Sequence, residues 1–486
     1  MCHTYFGTQI TYIINNSISS GEFPLSWKCS KVTPVFKKKG EVTDVKMYRP
    51  VSNLKSASKI IELIVNKQVL NYLETNKLLP NSQFGFRARR STFTAMCSMH
   101  EKWLENKEKK LHQAASFLDL SSAFDTLSKD IFCQKLKALG FNEKSVKWFD
   151  SYLSSRSQCV MIGSTISEPI KLEVGSPQGA ILSPTIFLIL VSDVDLWCKE
   201  AVLCQYADDT SCTVVDKNMN ALKSKCEERV EELFTFMAVN KLSANHDKTN
   251  ILVMKHGKDD TEVSFQIGES QIEESSKEKS LGIIVNNKLD WSDHIAKLEK
   301  ELRYRLFTLR RMEQVVPKSL MKKVADGIFC SVLRYGLGIF CPVRIEETES
   351  NSTSIEGIKV IFHDVLRLLC SSKRSDHTCI ESMLKKLNWL SVNQLAAEIR
   401  LMEVWKAPNL ENYCLSDLFQ EVDNERVTRS SGTRKLKTNF KSNLRESSFH
   451  YLSVRLWNSA PLEIIQAETE SKAKSEIRKY VLTLPI

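Results

Sequence analysis

The spacing of apolar residues predicts a mixture of helices and strands along this chain. Between residues 56 and 76 apolar residues recur at helical spacing, as expected of a helix with one buried side. The positions concerned are Ile60, Ile61, Ile64, Leu70 and Leu73. Further on, Ala115, Phe117 and Asp119 alternate with a period of two, which predicts a strand that ends in a carboxylate.

A second helix is predicted directly after this strand. Ser121 or Ser122 can cap its start and Gly140 can end it, because serine accepts from free helix amides and glycine tolerates the backbone that follows a helix. Its buried side is predicted to consist of Phe124, Leu127, Ile131, Leu136 and Leu139. The corner between strand and helix would present Asp119 at the edge of a sheet.

The segment 293–312 combines an apolar stripe with many basic residues. The stripe predicts an amphipathic helix and consists of Ile295, Leu298, Leu302, Leu306 and Leu309. The basic residues on its other faces are Lys297, Lys300, Arg303, Arg310 and Arg311. Such a face is usually solvated, and it indicates a phosphate-binding surface only beside a nucleic-acid enzyme.

Two adjacent carboxylates fall in a predicted hairpin. The apolar runs 201–204 and 212–215 predict short strands, and Asp208 and Asp209 lie in the bend between them. Aspartate is common in tight turns, so a solvated bend is one interpretation. A metal site is the other, because neighbouring carboxylates shielded from water favour protonation unless a cation lies between them.

A glycine-rich turn presents one polar side chain ahead of an apolar helix. The stretch 175–179 reads Gly-Ser-Pro-Gln-Gly, and Ser183 with Pro184 is suited to start the helix. Gln178 lies on the turn, where the glycines allow another backbone or a ligand to come close. Its side chain either contacts such a ligand or caps the turn.

Composition indicates a globular protein with a weak preference for polyanionic partners. Of the 486 residues, 42% are hydrophobic, and 68 Lys and Arg against 58 Asp and Glu give a net charge of +10. This length predicts about two to four packed subdomains. The 14 cysteines show no CxxC pair or zinc-site spacing, which argues against a disulfide framework or zinc module. No apolar run is long enough to predict a membrane span.

Several motifs occur in an order that carries a family resemblance. FLDLSSAFD, GSPQGAILSP and YADD follow one another, with WKCSKVTPVFKKKG, YRPVSNL and SQFGFRARRST before them and NKLSANHDKTNILV and KSLGIIV after them. Through these motifs residues 22–310 resemble the reverse transcriptases of non-LTR retrotransposons, the jockey-like elements in particular. RLWNSAPLEI, near the C-terminus, is similar to a tail found in such elements.

The resemblance implies an α+β right-hand polymerase fold with fingers, an antiparallel-sheet palm and a helical thumb. The predicted divisions are 1–110 for the fingers, 111–285 for the palm, 286–345 for the thumb and 346–486 for a mainly helical C-terminal region with polar linkers. The implied activity is RNA-directed DNA polymerisation, in which a primer 3′-hydroxyl accepts a nucleotide from a deoxynucleoside triphosphate.

The same resemblance implies that Asp119, Asp208 and Asp209 are the catalytic residues and the metal ligands. They would hold two Mg²⁺ ions, for which Mn²⁺ could substitute. One ion would activate the primer 3′-hydroxyl and the other would stabilise the leaving pyrophosphate.

Five residues match positions that bind the incoming nucleotide in this family. Lys37 and Arg49 would contact the triphosphate, and Phe124 would exclude a ribose 2′-hydroxyl by collision. Gln178 would lie against the nascent base pair, and Lys248 near the triphosphate. Each position has an ordinary structural alternative: a solvated basic loop, a core phenylalanine, a turn cap or an exposed lysine.

An RNA template and a DNA primer are the implied nucleic-acid partners. Arg87, Arg89 and Arg90, beside Phe84 and Phe86, would hold single-stranded template by charge and stacking. The basic residues of the 293–312 helix would follow the template and primer phosphates. No membrane partner is expected, and the predicted location is intracellular, at chromatin in the nucleus.

Elements of this family carry an endonuclease ahead of the polymerase. Here Met1 falls just before the fingers, which predicts a truncated copy whose endonuclease activity would have to come from another protein. Two alternatives to a polymerase remain open: an inactive remnant that still binds RNA, and a fold that only binds nucleotides.

Overall fold

The computed structural model describes most of the chain, namely residues 2–38, 40–118, 120–121, 126–244, 248–257, 262–349, 353–421, 435–437 and 445–486. Helices and strands alternate throughout the first two thirds, and helices dominate the last third. The α+β fold class predicted from the sequence is therefore confirmed. Within the described ranges, no helix combines the length and the apolar character needed to cross a bilayer.

The elements of the N-terminal third are α1 (Cys2–Ser20), β1 (Cys29–Phe36), β2 (Tyr48–Asn53), α2 (Ser56–Thr75), α3 (Thr92–Glu108), β3 (His112–Leu118), β4 (Leu120–Ser121), α4 (Lys129–Ala138), α5 (Glu143–Leu153) and β5 (Arg156–Ile162).

The middle third contains β6 (Thr165–Ile166), β7 (Ile170–Leu172), α6 (Ser183–Leu190), α7 (Val194–Trp197), β8 (Val202–Tyr206), β9 (Asp209–Asp216), α8 (Met219–Val239), β10 (Ser243–Ala244), β11 (Asn250–Met254), β12 (Ser264–Ile267), β13 (Ser270–Ser275), β14 (Lys277–Ser280) and β15 (Ile283–Asn286).

The helices of the last third are α9 (Ser292–Met312), α10 (Lys318–Ala325), α11 (Ser331–Arg334), α12 (Leu337–Phe340), α13 (Glu356–Cys370), α14 (Ile380–Leu387), α15 (Val392–Asn409), α16 (Phe449–Asn458), α17 (Leu462–Ile465) and α18 (Glu470–Val481).

A six-stranded sheet lies between two hydrophobic cores. Its strand order is β12-β13-β11-β3-β9-β8, with β11 and β13 parallel and the other neighbours antiparallel. Alternate residues of β11 belong to different cores: Ile251 and Val253 to one, Leu252 and Met254 to the other. Strand alternation sends successive side chains to opposite faces, so the sheet is covered on both sides, by α8 on one and α3 on the other.

A second sheet has the order β2-β1-β5-β6, with β7 also paired to β5. In it β1 runs parallel to β5, from Cys29 opposite Ser157 to Val32 opposite Val160. Strands β5 and β7 lie in the range predicted as palm, whereas β1 and β2 lie in the range predicted as fingers. The predicted domain boundaries remain predictions.

The helix predicted after β3 starts later than expected. Ser121 belongs to β4, where it pairs with Ser243, and α4 begins at Lys129 after Ser128. Because Ser121 is extended in a strand pair, it does not cap this helix, and Ser122 lies outside the described residues. Gly140 follows the helix with a φ of +83°, which matches its predicted role at the end.

The buried side of α2 also differs from the prediction. It consists of Ser58, Ile61, Glu62, Val65, Val69 and Leu73, whereas Ile60 and Ile64 are exposed. Apolar residues surround much of this helix, so their spacing alone does not select the buried side. Packing against α1, α5 and α6 in the core decides it.

Helices α9 to α18 share one hydrophobic core with α3. The guanidinium of Arg400, which is fully buried, donates to the carbonyls of Cys341 (2.9 Å) and Phe449 (3.0 Å) and so links α12, α15 and α16. Burial lowers the pKa of Arg400 to about 10. Buried polar groups need such partners, so this arginine fixes how the three helices meet.

The RLWNSAPLEI stretch has a structural role in this core. Arg455 pairs with Glu349 (2.5 Å), and Trp457 is buried. The Asn458 side chain accepts from the Leu436 amide (2.9 Å) and donates to its carbonyl (3.1 Å). These bonds attach residues 435–437 to α16.

Stability is expected to fall between about pH 7.5 and pH 5.5 because of three buried histidines. Burial lowers the pKa values of His100, His294 and His450 to about 4, below the value near 6.5 of an unfolded chain. The unfolded state therefore binds more protons in this window, and each histidine costs about 1 kcal/mol at pH 5.5. Urea unfolding at the two pH values measures the loss, and equal stability at both would contradict it.

Candidate active site

The Asp208–Asp209 bend forms a tight hairpin at the edge of the six-stranded sheet. Strand β8 ends at Tyr206, which pairs with Asp209 at the start of β9. Ala207 and Asp208 make the turn, and Ala207 has a φ of +58°, a region that residues with a side chain disfavour. Asp208 is half-buried and Asp209 is exposed. The hairpin predicted from the sequence is thus present, with one carboxylate open to solvent.

The neighbouring strand β3 runs antiparallel to β9 towards this bend. Leu118, the last residue of β3, pairs with Thr210. Asp119, Phe124 and Asp125 lie outside the described residues. The described register ends with Leu118 opposite Thr210, the residue directly after Asp209. The predicted convergence of Asp119 with the hairpin stays a prediction.

A small cavity of about 70 Å³ opens beside the hairpin. Its lining joins Phe117 of β3 and Asp209 of β9 to the stretch Lys279–Leu281, which belongs to the KSLGIIV motif. The β14–β15 pair therefore faces the end of the central sheet. Three motifs that are far apart in the sequence meet at this cavity.

The Gln178 turn is attached to β2 and to α2. The Gln178 carbonyl accepts from the Ser52 amide (2.7 Å), and a Cβ added at Gly179 would lie 2.9 Å from the Ser52 carbonyl oxygen. Only glycine allows this approach. The Ile181 amide donates to the carboxylate of the fully buried Glu62 (2.8 Å). The Gln178 side chain itself is half-buried.

The expected start of α6 is shifted by one residue. Ser183 is its first residue and Leu182 its N-cap, with Pro184 in the first turn. The Ser183 hydroxyl donates to the Pro177 carbonyl (2.9 Å). Because this bond points back into the turn, the serine stabilises the loop and not the helix amides.

The predicted triphosphate residues Lys37 and Arg49 lie close together on the β1–β2 hairpin. Val35 pairs with Arg49 and Phe36 with Tyr48, and Lys37 follows directly. Both basic side chains are exposed, and the Lys37 ammonium donates to the Lys46 carbonyl (2.7 Å). Lys248, the remaining predicted lysine of this group, is exposed after β10.

The arginines predicted to hold template make contacts within the protein. Arg87 forms a bidentate salt bridge with Glu74 (2.8 and 2.7 Å). Arg90 donates to the Asn81 carbonyl (2.6 Å). Burial, followed by repulsion from Arg87, lowers the pKa of Arg90. Arg89 donates to the Glu411 carbonyl (2.5 Å). All three therefore have a structural role, and their contact with template stays a prediction.

Helix α9 presents a mixed basic and aromatic face to solvent. Its predicted apolar stripe is buried in full. The exposed face, which we call the α9 face, consists of Lys300, Arg303, Tyr304, Phe307, Arg310 and Arg311. Tyr304 is 71% and Phe307 56% exposed. Lys297 differs from the other predicted basic residues, because it is half-buried and lines a separate cavity with His294 and Glu301.

Sequence reasoning missed Glu62, Gln83, Tyr304 and Phe307. The two aromatics were detectable, because they share the helical spacing of the basic residues on α9. Gln83 and Glu62 gave no local signal. Each is fully buried and acts on a segment more than a hundred residues away.

The donor chemistry at the hairpin suits a hard divalent cation. Carboxylate oxygens are the groups that Mg²⁺ prefers, and Asp209 is exposed beside the cavity. Among the described residues, no group of three or more His, Cys, Asp or Glu side chains is placed to hold a metal ion. Asp119, the third predicted ligand, is not among them.

Comparison with known families identifies the class of this chain. The family model for reverse transcriptase (RNA-dependent DNA polymerase) matches residues 36–285, just over half of the sequence. The chain belongs to the reverse transcriptase family.

Curated relatives place it near the jockey-like mobile elements. The RNA-directed DNA polymerase from mobile element jockey of Drosophila melanogaster is 26% identical over 344 residues, which cover 68% of this chain and 37% of that protein. The probable RNA-directed DNA polymerase from transposon BS of the same species is 25% identical over 331 residues, covering 65% and 36%. The resemblance predicted from the motifs is confirmed, and the chain spans little more than a third of the length of these relatives.

Among solved structures, the apo telomerase from Candida tropicalis aligns with a TM-score of 0.41 and 13% sequence identity. The alignment covers 81% of this chain and 68% of that chain.

Proposed function

We propose that this chain is an RNA-directed DNA polymerase of a non-LTR retrotransposon, which extends a DNA primer on an RNA template with deoxynucleoside triphosphates. The observation that carries the proposal is the Asp208–Asp209 hairpin at the sheet edge, next to the end of β3 and to the Lys279–Leu281 stretch. The family match over residues 36–285 supports the same activity.

Asp119, Asp208 and Asp209 are the proposed catalytic residues. Support for including Asp119 comes from the strand register, because Leu118 directly before it pairs with Thr210 directly after Asp209. When bound, two Mg²⁺ ions would supply activation of the primer 3′-hydroxyl and stabilisation of the leaving pyrophosphate. The three carboxylates would hold the ions, and their charges would be neutralised by them.

The incoming nucleotide is proposed to lie between the β1–β2 hairpin and the catalytic bend. Lys37 and Arg49 are exposed on that hairpin and would bind the triphosphate, for which an ammonium and a guanidinium fork are well suited. The bond from Ser52 to the Gln178 carbonyl ties the Gln178 turn to the strand that carries Arg49. Gln178 would contact the base pair, Phe124 would exclude a ribose, and Lys248 would lie near the phosphates.

The α9 face is proposed to contact the template–primer duplex. Its arginines and lysine would bind phosphates without sequence preference. Tyr304 and Phe307 would pack against sugars, which would remove part of their exposed rings from water. The Arg311 guanidinium lies 6.0 Å from the centre of the Phe307 ring, which keeps charge and ring on the same surface.

Primer extension on an RNA template with Mg²⁺ and deoxynucleotides tests the proposed function directly. Extension that depends on both template and Mg²⁺ is the expected result. A chain that binds the template–primer but extends nothing would instead be an RNA-binding remnant. A chain that binds deoxynucleotides but neither strand would only be a nucleotide-binding fold.

Replacing Arg310 and Arg311 by Ala is expected to weaken binding of an RNA–DNA duplex and to lower its salt dependence. Each lost phosphate contact reduces the slope of log affinity against log salt by about 1, so the double variant should lose about 2. Fluorescence anisotropy across a KCl series measures this slope.

The matched control replaces Lys472 and Lys474, two exposed lysines on α18, by Ala. It removes the same charge from another helix and should leave the slope unchanged. An equal reduction in both double variants would mean that net charge, and not the α9 face, governs binding.

A further inference from the structure

The stretch 82–85 lies along the β8–β9 hairpin and is joined to β8 by a single-residue bridge. The Gln205 amide donates to the Ser82 carbonyl (2.8 Å), and the Phe84 amide donates to the Gln205 carbonyl (2.7 Å). Gln83 and Gln205 thereby form a parallel bridge. The free edge of β8 is thus covered by a segment that precedes it by more than a hundred residues.

The Gln83 side chain reaches the turn of the hairpin itself. It is fully buried, and its Oε1 accepts from the amides of Ala207 (3.1 Å) and Gly85 (2.8 Å). Ala207 is the residue directly before Asp208 and has the disfavoured positive φ. A strained backbone conformation persists only where surrounding contacts stabilise it. The hydrogen bond from the Ala207 amide to Gln83 is such a contact.

Gly85 brings the two backbones into direct contact. A Cβ added at Gly85 would lie 2.3 Å from the Ala207 nitrogen and 3.0 Å from the Tyr206 carbonyl carbon. No side chain fits in that space, and backbone atoms cannot turn away as a flexible side chain can. Position 85 therefore requires glycine for the hairpin to occupy its observed place.

Two half-buried arginines keep this stretch in position. The Gln83 carbonyl accepts from Arg87 (3.3 Å) and from Arg90 (3.2 Å). Arg87 also donates to the Pro80 carbonyl (2.6 Å), and the Arg90 guanidinium lies 5.1 Å from the centre of the Phe84 ring. These contacts therefore fix the position of residues 80–85.

We propose that Gln83 is a positioning residue, which holds the Ala207–Asp208 turn so that the carboxylates of the bend keep their catalytic arrangement. The inference rests on the proposed polymerase function. Residues that orient metal ligands without touching the metal typically contribute a factor of about 10 to 100 in activity or metal affinity. Gln83 touches no reacting atom in this scheme and acts only through the turn.

The test replaces Gln83 by Met, which has a similar size but lacks the amide oxygen and offers the two backbone amides at best a weak thioether acceptor. Primer extension by Q83M is expected to show a kcat about 10- to 100-fold lower and a higher Mg²⁺ concentration for half-maximal rate. KM for the deoxynucleotide should change little. Hydrogen exchange of the backbone amides in residues 202–212 should become faster than in the wild-type chain.

Gly85→Ala gives the same test by another route, because the added Cβ displaces the turn while leaving the Gln83 amide intact. It should reproduce the changes in kcat, Mg²⁺ requirement and exchange. Gln83→Asn, which withdraws the amide by one methylene, is the milder variant that decides the matter if Q83M or G85A does not fold.

Gln113→Met is the matched control. Gln113 is also fully buried and lies on the same sheet, where it donates to the Trp103 carbonyl (2.9 Å) and accepts from Asn106 (3.0 Å). Its loss should lower the unfolding temperature while kcat, Mg²⁺ requirement and hairpin exchange stay as in the wild type.

Any of three outcomes would overturn the proposal. The first two are unchanged hairpin exchange and an unchanged Mg²⁺ requirement in Q83M. The third is an equal Mg²⁺ shift in Q113M, which would indicate general destabilisation. Hydrogen exchange requires no catalysis, so it still reports on the turn if the wild-type chain extends no primer, a result that would count against the proposed function alone.

Discussion

Replacing Asp208 by Asn is expected to reduce primer extension by at least about a thousandfold, because the loss of a proposed metal ligand should remove several kcal/mol of transition-state stabilisation. Asparagine has nearly the same shape and keeps one oxygen, so the turn after Ala207 should persist. The loss should therefore appear in kcat, while binding of the template–primer remains. A radiolabelled or fluorescent primer on an RNA template measures both quantities in one preparation.

Asp216→Asn provides the control for this experiment. Asp216 lies at the opposite end of β9 and pairs with Lys225 (2.6 Å). Surface pairs of this kind contribute little to stability, and Asp216 lies far along the strand from the proposed site. D216N should extend primer like the parent. If D208N does so as well, the assignment of the catalytic bend is wrong.

Replacing Glu101 by Leu is expected to lower the free energy of unfolding by about 3 to 5 kcal/mol, the usual cost of removing one partner from a buried ion pair. Glu101 on α3 is buried and accepts from Arg445 (2.9 Å). It also accepts from the His450 amide (2.8 Å) in the first turn of α16. The substitution would leave a buried guanidinium short of its nearest partner and a helix amide uncapped.

Glu105→Leu, on the same helix, is the comparison. Glu105 pairs with Lys102 (2.9 Å) and Lys109 (2.5 Å) near the surface, and such pairs are worth about 1 kcal/mol or less. Urea unfolding followed by tryptophan fluorescence measures both variants. Similar losses in E101L and E105L would show that the contact between α3 and α16 does not hold the C-terminal helices.

These contacts assign a structural role to the last third of the chain. The C-terminal helices and α9 share a core with α3, and α3 in turn covers one face of the sheet that carries the Asp208–Asp209 bend. A loss of packing in the C-terminal region should therefore reach the central sheet through α3. The RLWNSAPLEI stretch contributes to this core through Trp457 and Asn458.

The local elements of the site could be predicted from the sequence. The strands around Asp208 and Asp209, the strand before Asp119 and the apolar stripe of α9 all follow from spacing within a few residues. Side chains alternate along a strand and recur every three to four residues on a helix. These patterns can therefore be recognised within a short stretch of sequence. The family motifs, being contiguous, were equally visible.

Only the tertiary structure decided which distant segments meet. Glu101 and Arg445 are 344 residues apart in the sequence, and the pairing of β1 with β5 and the support of the hairpin by Gln83 join segments separated by more than a hundred residues. A buried polar side chain needs a partner, but its own neighbours in the sequence do not specify which one. The sequence by itself therefore determined the family, the hairpin and its carboxylates, while folding determined what holds that hairpin in place.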